Sequence, residues 1–306
     1  MEMKRDFLSI DAYTPEKFME IVQRAIDFKT GKVECCNLAN GKSLAMIFEK
    51  QSLRTRMTFE IGITKLGGHA VYLQPSDIGL GTREPVKDVA RNITRWCDII
   101  MARVFLNSTI VELAQYADIP VVNALCDIEH PCQAMADFQT IYEHKGRFEG
   151  LKLAFLGDGN NVAHSLMFSC AKMGMDFAIG CPEDYEPMLG ITKRTIEIAE
   201  TSGAKIEIEN DPVKAIKDAD IVYTDVWTSM GQELENEKRL KAFPPYQVNS
   251  ELMKHAKDDA IILHCLPAKR GLEITDEVIE SANSVVFDEA ENRLWAQMAV
   301  MADLLS

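Results

Sequence analysis

Residues 43–56 read SLAMIFEKQSLRTR, and the fold follows from the way this stretch changes character halfway along. Residues 43–48 (SLAMIF) form a short apolar run with the length and composition of a buried strand. Ser52 then stands where a helix N-cap belongs, and the text through Leu66 reads as a helix stopped by Gly67-Gly68. The alternation continues, with strands predicted at 69–73, at 98–102 and as a short strand closed by Val121 and Val122, and helices at 85–96 and 131–143. It restarts at 151–156 (LKLAFL), which feeds Gly157-Asp158-Gly159 and another helix, and further strands are predicted at 176–180, 220–224 and 260–264. Strands that alternate with helices in this way predict an α/β fold of parallel sheets flanked by helices.

The Gly146–Gly150 segment marks the expected boundary between two domains. The first is residues 1–145 joined by a C-terminal helix at about 291–306, which should pack back on the first half; the second is 146–290. A cleft between the two domains is the expected place for an active site, since ligands of such sheets gather beyond the carboxyl ends of the strands.

At 306 residues the chain is long enough to bury two cores. No apolar run approaches the roughly 18–20 residues of a membrane span. The N-terminal MEMKRDFLSIDAY has a basic start but no apolar core, so it does not read as a secretory signal. Eight cysteines are scattered without a CxxC pair, which argues against a zinc site or a disulfide framework and for reduced thiols in the cytoplasm. A net charge of -14 argues against nucleic acid as a partner. A small anion is another matter, because screening leaves nearby arginines to decide.

Residues 48–56 hold such arginines. If Ser52 caps a helix, the N–H groups of Leu53, Arg54 and Thr55 lie at its positive end, which suits phosphate. Two guanidinium groups in the same turn strengthen this reading, although a capped helix with solvated arginines would look the same. The Gly157-Asp158-Gly159 turn invites a different reading, the start of a dinucleotide fingerprint. The third glycine is missing from it, with Val162 in its place, and the rest of the chain does not fit a dehydrogenase.

Two further motifs follow apolar strands: His130-Pro131-Cys132-Gln133, and His264-Cys265-Leu266-Pro267-Ala268. Taken with FEKQSLRTR and the Asp225-Val226-Trp227-Thr228-Ser229-Met230-Gly231 loop, in this order and spacing, they resemble the aspartate/ornithine carbamoyltransferase family. The resemblance runs from about residue 40 to residue 298. It implies a transferase that moves the carbamoyl group of carbamoyl phosphate to the side-chain amine of L-ornithine, giving citrulline and phosphate in arginine metabolism. No cofactor and no metal is implied.

By the same resemblance, Ser52, Leu53, Arg54 and Thr55 hold the phosphate, with Leu53 replacing the usual threonine. Arg103 joins them, His130 and Gln133 bind the carbamoyl oxygen and amide, and Arg293 reaches back to the carbamoyl group. Trp295 stands where relatives often have histidine. Asp225 pairs with the α-ammonium of ornithine, Ser229 and Met230 close over it, Asn161 contacts its α-substituents, and Cys265 and Leu266 lie near its side-chain amine. Arg54, Arg103, His130 and Cys265 are the implied catalytic set.

An aspartate-using relative would carry a basic loop at 225–231, and none is present. Putrescine and N-acylornithine lack groups that Asp225 would recognise, and a non-catalytic member would not need the full residue set. The family implies a homotrimer or a multiple of it, with a neighbour's loop, here Ser76–Arg83, covering carbamoyl phosphate; Asp77 in that loop would use its backbone, or leave the contact to Arg83. Outside these motifs, His69, His144, His164 and His255 read as ordinary polar positions, His264 as a structural residue, and Cys126 and Cys132 as core thiols.

Overall fold

The computed structural model describes residues 5–306; the N-terminal signal reading rests in part on residues 1–4, which lie outside the described residues. The chain divides into two compact units, Met1–Gln139 with Glu291–Ser306, and Thr140–Ala290. The division falls inside one helix, Pro131–Lys145, rather than at the glycines of 146–150.

The first unit is built on a four-stranded parallel sheet of β1 (Ser43–Phe48), β2 (His69–Leu73), β3 (Ile99–Arg103) and β4 (Val121–Leu125), in the order β2-β1-β3-β4. Its helices are α1 (Pro15–Lys29), α2 (Leu53–Lys65), α3 (Pro75–Ile78), α4 (Val86–Ile93), α5 (Asn107–Tyr116) and α6 (Pro131–Lys145). β1, β3 and β4 are almost wholly buried, which is why they read as continuous apolar runs rather than alternating ones. α4 and α5 cover one face of the sheet through Val89, Ile93, Ile110 and Leu113.

The second unit has a five-stranded parallel sheet in the order β7-β6-β5-β8-β9. Its strands are β5 (Lys152–Leu156), β6 (Asp176–Gly180), β7 (Ile206–Glu209), β8 (Ile221–Thr224) and β9 (Ile261–His264). Between and after them come α7 (Asn161–Met173), α8 (Leu189–Ser202), α9 (Pro212–Ile216), α10 (Asn236–Ala242), α11 (Ser250–Met253) and α12 (Asp276–Ile279). The last helix, α13, runs Val286–Leu305 and so begins a turn earlier than the Glu291 expected from the sequence. Its later turns join the first unit, where Gly62 of α2 lets Met298 and Met301 approach to 3.1 Å from where a Cβ would stand.

Strand order explains where the functional residues collect. In the first unit β1, β3 and β4 are neighbours, so the turn after β1, Arg103 at the end of β3 and His130 after β4 share one edge. β5, β8 and β9 are neighbours in the second unit, which brings Asn160, Asp225 and Cys265 together in the same way. Each group straddles the point where the strand order reverses, the usual ligand crevice of an open parallel sheet.

Candidate active site

In the first unit, Ser52 is the N-cap of α2 and its Oγ accepts from the Thr55 N–H at 3.2 Å. Thr55's N–H is therefore spent on the cap, leaving Leu53 and Arg54 as the first-turn amides ahead of any intrahelical acceptor. The Thr55 side chain, fully buried, turns inward: its Oγ1 accepts from Arg103 Nη1 at 3.4 Å and from Arg293 Nη2 at 3.3 Å, and its hydroxyl is hydrogen-bonded with that of Ser52 at 3.0 Å. One hydroxyl thus aims two guanidinium groups brought from β3 and α13. Arg103 owes its direction to a register shift between Ala102 and Arg103 in the pairing of β3 with β4.

Arg293 also donates to Gln133 Oε1 at 2.6 Å, and Gln133 Nε2 donates to Asp137 at 2.8 Å, which fixes the amide's orientation. His130 is 5% exposed, just ahead of Pro131 at the start of α6. Burial, then the charges of Arg293, Arg103 and Arg54, hold its imidazole well below the usual histidine range. It is neutral at neutral pH and serves as a hydrogen-bonding group beside the arginines. Lys50, which the motif reading left without a role, is a further cation here. Its ammonium lies 4.8 Å over the Phe105 ring, and burial followed by Arg103 lowers its pKa. The FEKQSLRTR run showed that lysine, but only the turn's geometry brings it beside Arg103.

The second unit supplies a different chemistry. Asp225, 7% exposed, follows β8; its Oδ1 accepts from the Val226 N–H at 2.7 Å and from the Cys265 thiol at 3.1 Å. Its Oδ2 accepts from Asn160 Nδ2 at 2.9 Å. The resemblance assigns Asn161, the first residue of α7, to the α-substituents of ornithine; its neighbour Asn160, the N-cap of α7, is an additional residue that the motif reading did not name and that donates to Asp225. The doubled Asn160-Asn161 is visible in the sequence, but that Asn160 caps α7 and reaches Asp225 depends on where the helix starts.

Cys265 and Leu266 are set by His264. Its Nδ1 accepts from the Leu266 N–H at 2.9 Å, its Nε2 lies 3.2 Å from Glu273 Oε1, and its backbone N–H donates to Glu289 at 2.8 Å. Leu266 takes φ +55° ahead of a cis peptide to Pro267. Asp225, His264 and Cys265 place donor atoms within 4.8 Å of one another, a set able to hold a soft cation. Each of those atoms is already engaged within the protein, the imidazole on both nitrogens.

Ser229 and Met230 lie on a loop held at its base: the Trp227 carbonyl accepts from Arg239 Nη1 at 2.8 Å, and Thr228 Oγ1 bonds Asn236 at 3.0 Å. Met230 is half-exposed at the tip. Arg239, nearly buried, also pairs with Asp158 at 2.9 Å and lies over the Tyr185 ring at 4.9 Å. Burial pushes the Asp158 carboxyl up to about 6, against the pull of Arg239.

The Gly157-Asp158-Gly159 turn has a structural use for its second glycine. A Cβ at Gly159 would stand 2.2 Å from Pro187 N, so the backbone at 186–187 occupies the approach that a dinucleotide fingerprint gives to a diphosphate. His164 likewise has a structural partner, accepting from the Met188 N–H at 3.1 Å. Cys132, buried and bonded to the Asn123 carbonyl, has its thiol pushed up to about 12, as befits a core position. Asp77 turns its carboxylate back on the Gln74 N–H at 3.0 Å, and Arg83 Nη1 donates to the Asp77 carbonyl at 3.3 Å, so the loop's charges serve its own turn. Trp295 donates to Glu291 at 3.3 Å on the outer face of α13.

Comparison with known proteins agrees with both halves of this arrangement. Residues 5–143 match the carbamoyl-P binding domain of aspartate/ornithine carbamoyltransferases, and residues 149–304 match the Asp/Orn binding domain. The chain belongs to the aspartate/ornithine carbamoyltransferase family. It is 52% identical over 305 residues to the ornithine carbamoyltransferase of Pyrococcus horikoshii, covering 98% of this chain and 96% of the relative. It is also 52% identical to a Pyrococcus furiosus protein named ornithine carbamoyltransferase, anabolic, covering 97% of this chain and 95% of that one. The solved structure of the ornithine carbamoyltransferase from Pyrococcus furiosus superimposes with a TM-score of 0.94, covering 97% of this chain and 96% of that one.

Proposed function

We propose that this chain transfers the carbamoyl group of carbamoyl phosphate to the side-chain amine of L-ornithine, forming citrulline and phosphate in the biosynthetic direction. The observation that carries the reading is the gathering of Arg54, Arg103 and Arg293 around the buried His130 in the first unit; the second unit separately holds the buried Asp225 carboxylate with the Cys265 thiol donating to it. The phosphate is assigned to Ser52, the Leu53 and Arg54 amides and the guanidinium groups of Arg54 and Arg103, with Thr55 of the same turn aiming Arg103. The carbamoyl group is assigned to His130, Gln133 and Arg293. Arg103, Arg54 and neutral His130 oppose the negative charge that builds on the carbonyl oxygen as the amine attacks, the main source of acceleration in such a transfer. The nitrogen–carbon bond forms, the carbon–oxygen bond to phosphate breaks, and the departing phosphate takes the amine proton.

The acceptor is assigned to Asp225, Asn161, Ser229, Met230, Cys265 and Leu266. Asp225 receives the α-ammonium, a group that putrescine does not have and that an N-acylornithine has lost to its amide. A second carboxylate on the acceptor, as in aspartate, would meet Asp225 with no basic group in the 225–231 loop to offset it.

We further propose a homotrimer in the cytoplasm, with Ser76–Arg83 reaching a neighbour's site. One observation supports assembly. Leu53, Met57 and Ile61 form an exposed apolar stripe along α2, the kind of surface that a second copy covers. Among the described residues, no helix is long and apolar enough to cross a membrane.

The direct experiment measures product formation from carbamoyl phosphate with ornithine, aspartate, putrescine and N-acetylornithine in parallel. Citrulline from ornithine, with the other amines at background, is the expected result; turnover confined to another amine sinks the acceptor assignment.

A further inference from the structure

We infer that Asn160 is a positioning residue for the acceptor amino acid, fixing the Asp225 carboxylate in the orientation that receives the α-ammonium. The inference rests on the proposed function. Asn160 does two jobs with the two ends of one amide. Its Oδ1 caps α7, accepting from the N–H groups of Val162 at 2.9 Å and Ala163 at 3.1 Å. Its Nδ2 donates to Asp225 Oδ2 at 2.9 Å. The two helix amides decide which end is oxygen, since reversing the amide would set a donor against donors and an acceptor against a carboxylate. The helix terminus therefore dictates where the NH₂ group points.

The consequence lies at Asp225. A carboxylate offers about four lone-pair directions. Val226 N–H and the Cys265 thiol take the two on Oδ1, and Asn160 takes one on Oδ2. The remaining direction, on Oδ2, is the one the ammonium takes, and Asn160 is what keeps it aimed. Because Asn160, Asp225 and Cys265 follow the neighbouring strands β5, β8 and β9, the whole arrangement is set by the sheet rather than by a mobile loop.

The test separates the two jobs. Aspartate caps helices as well as asparagine does, so Asn160→Asp keeps α7 capped while replacing the donor with a charge that repels Asp225. We would measure steady-state constants for ornithine and carbamoyl phosphate, inhibition by norvaline, and melting temperature, in the full chain. Norvaline keeps the α-ammonium and α-carboxylate but has no side-chain amine. The ornithine KM should rise about tenfold or more, the range of a lost hydrogen bond to a charged group. The norvaline inhibition constant should rise by a similar factor, while the carbamoyl phosphate KM moves less than about twofold.

Unchanged ornithine and norvaline constants would overturn the inference. So would an ornithine effect without a norvaline effect, because Asn160 would then act on the side-chain amine instead. Should the Asn160→Asp substitution lower the melting temperature, Asn160→Ser repeats the comparison with a capping hydroxyl too short to reach Asp225, and the same outcomes decide. A wild-type chain that forms no citrulline overturns the function reading and this inference together; an active wild type with an indifferent Asn160→Asp overturns the inference alone.

Discussion

Thr55→Val is the sharpest test of the phosphate half-site, because it removes one oxygen and leaves the shape. Thr55 Oγ1 is the shared acceptor for Arg103 and Arg293, and the side chain is fully buried, so water cannot substitute for it. Hydrogen bonds to charged groups contribute about 1.5–3 kcal/mol each. At 3.4 and 3.3 Å both contacts are long, which places each near the low end. The pair then contributes about 3 kcal/mol to holding two guanidinium groups on target. Expressed in the transition state, that is roughly a hundredfold loss in kcat/KM for carbamoyl phosphate. The Ser52 cap on the Thr55 N–H does not involve the hydroxyl of Thr55 and survives the change. Steady-state kinetics with carbamoyl phosphate varied at saturating ornithine reads the effect, and Thr55→Ser should return activity to within about threefold, since it restores the acceptor oxygen. A valine variant within about threefold of wild type, or a serine variant as poor as valine, would refute the claim that this hydroxyl aims the two arginines.

Two further outcomes follow from the buried charges. His130 has its pKa depressed in the folded state, so at pH below about 6.5 the unfolded chain binds a proton that the folded chain refuses. Stability should therefore fall as pH drops below about 6.5, and melting curves at about pH 7 and about pH 5 should show a smaller loss for His130→Gln than for wild type. Arg239→Met leaves Asp158 buried without its ion partner, which should cost about 3–5 kcal/mol in denaturant unfolding. Adding Asp158→Asn should recover much of that loss; a double variant no more stable than Arg239→Met would mean that the arginine acts through its bond to the Trp227 carbonyl and its contact with the Tyr185 ring instead.

The α/β class, the strands that carry the motifs and the family are all legible in the residues alone. Buried parallel strands are continuous apolar runs, and a run such as SLAMIF that ends in a capped arginine-bearing helix carries its own local reading. The sequence did less well where burial is partial: β7, whose side chains are mixed, and α8 went unplaced. The start of α13 was set a turn late, because its first residues belong to the second unit and only the later ones carry the motif. Tertiary structure alone decided what the side chains do once assembled. That Thr55 faces inward on two arginines and that Asn160 donates to Asp225 depend on contacts between residues well separated in the chain. Periodicity reports which face of an element is buried; it holds no information on which distant donor meets which acceptor, since that is fixed by the order and register of strands paired across the sheet.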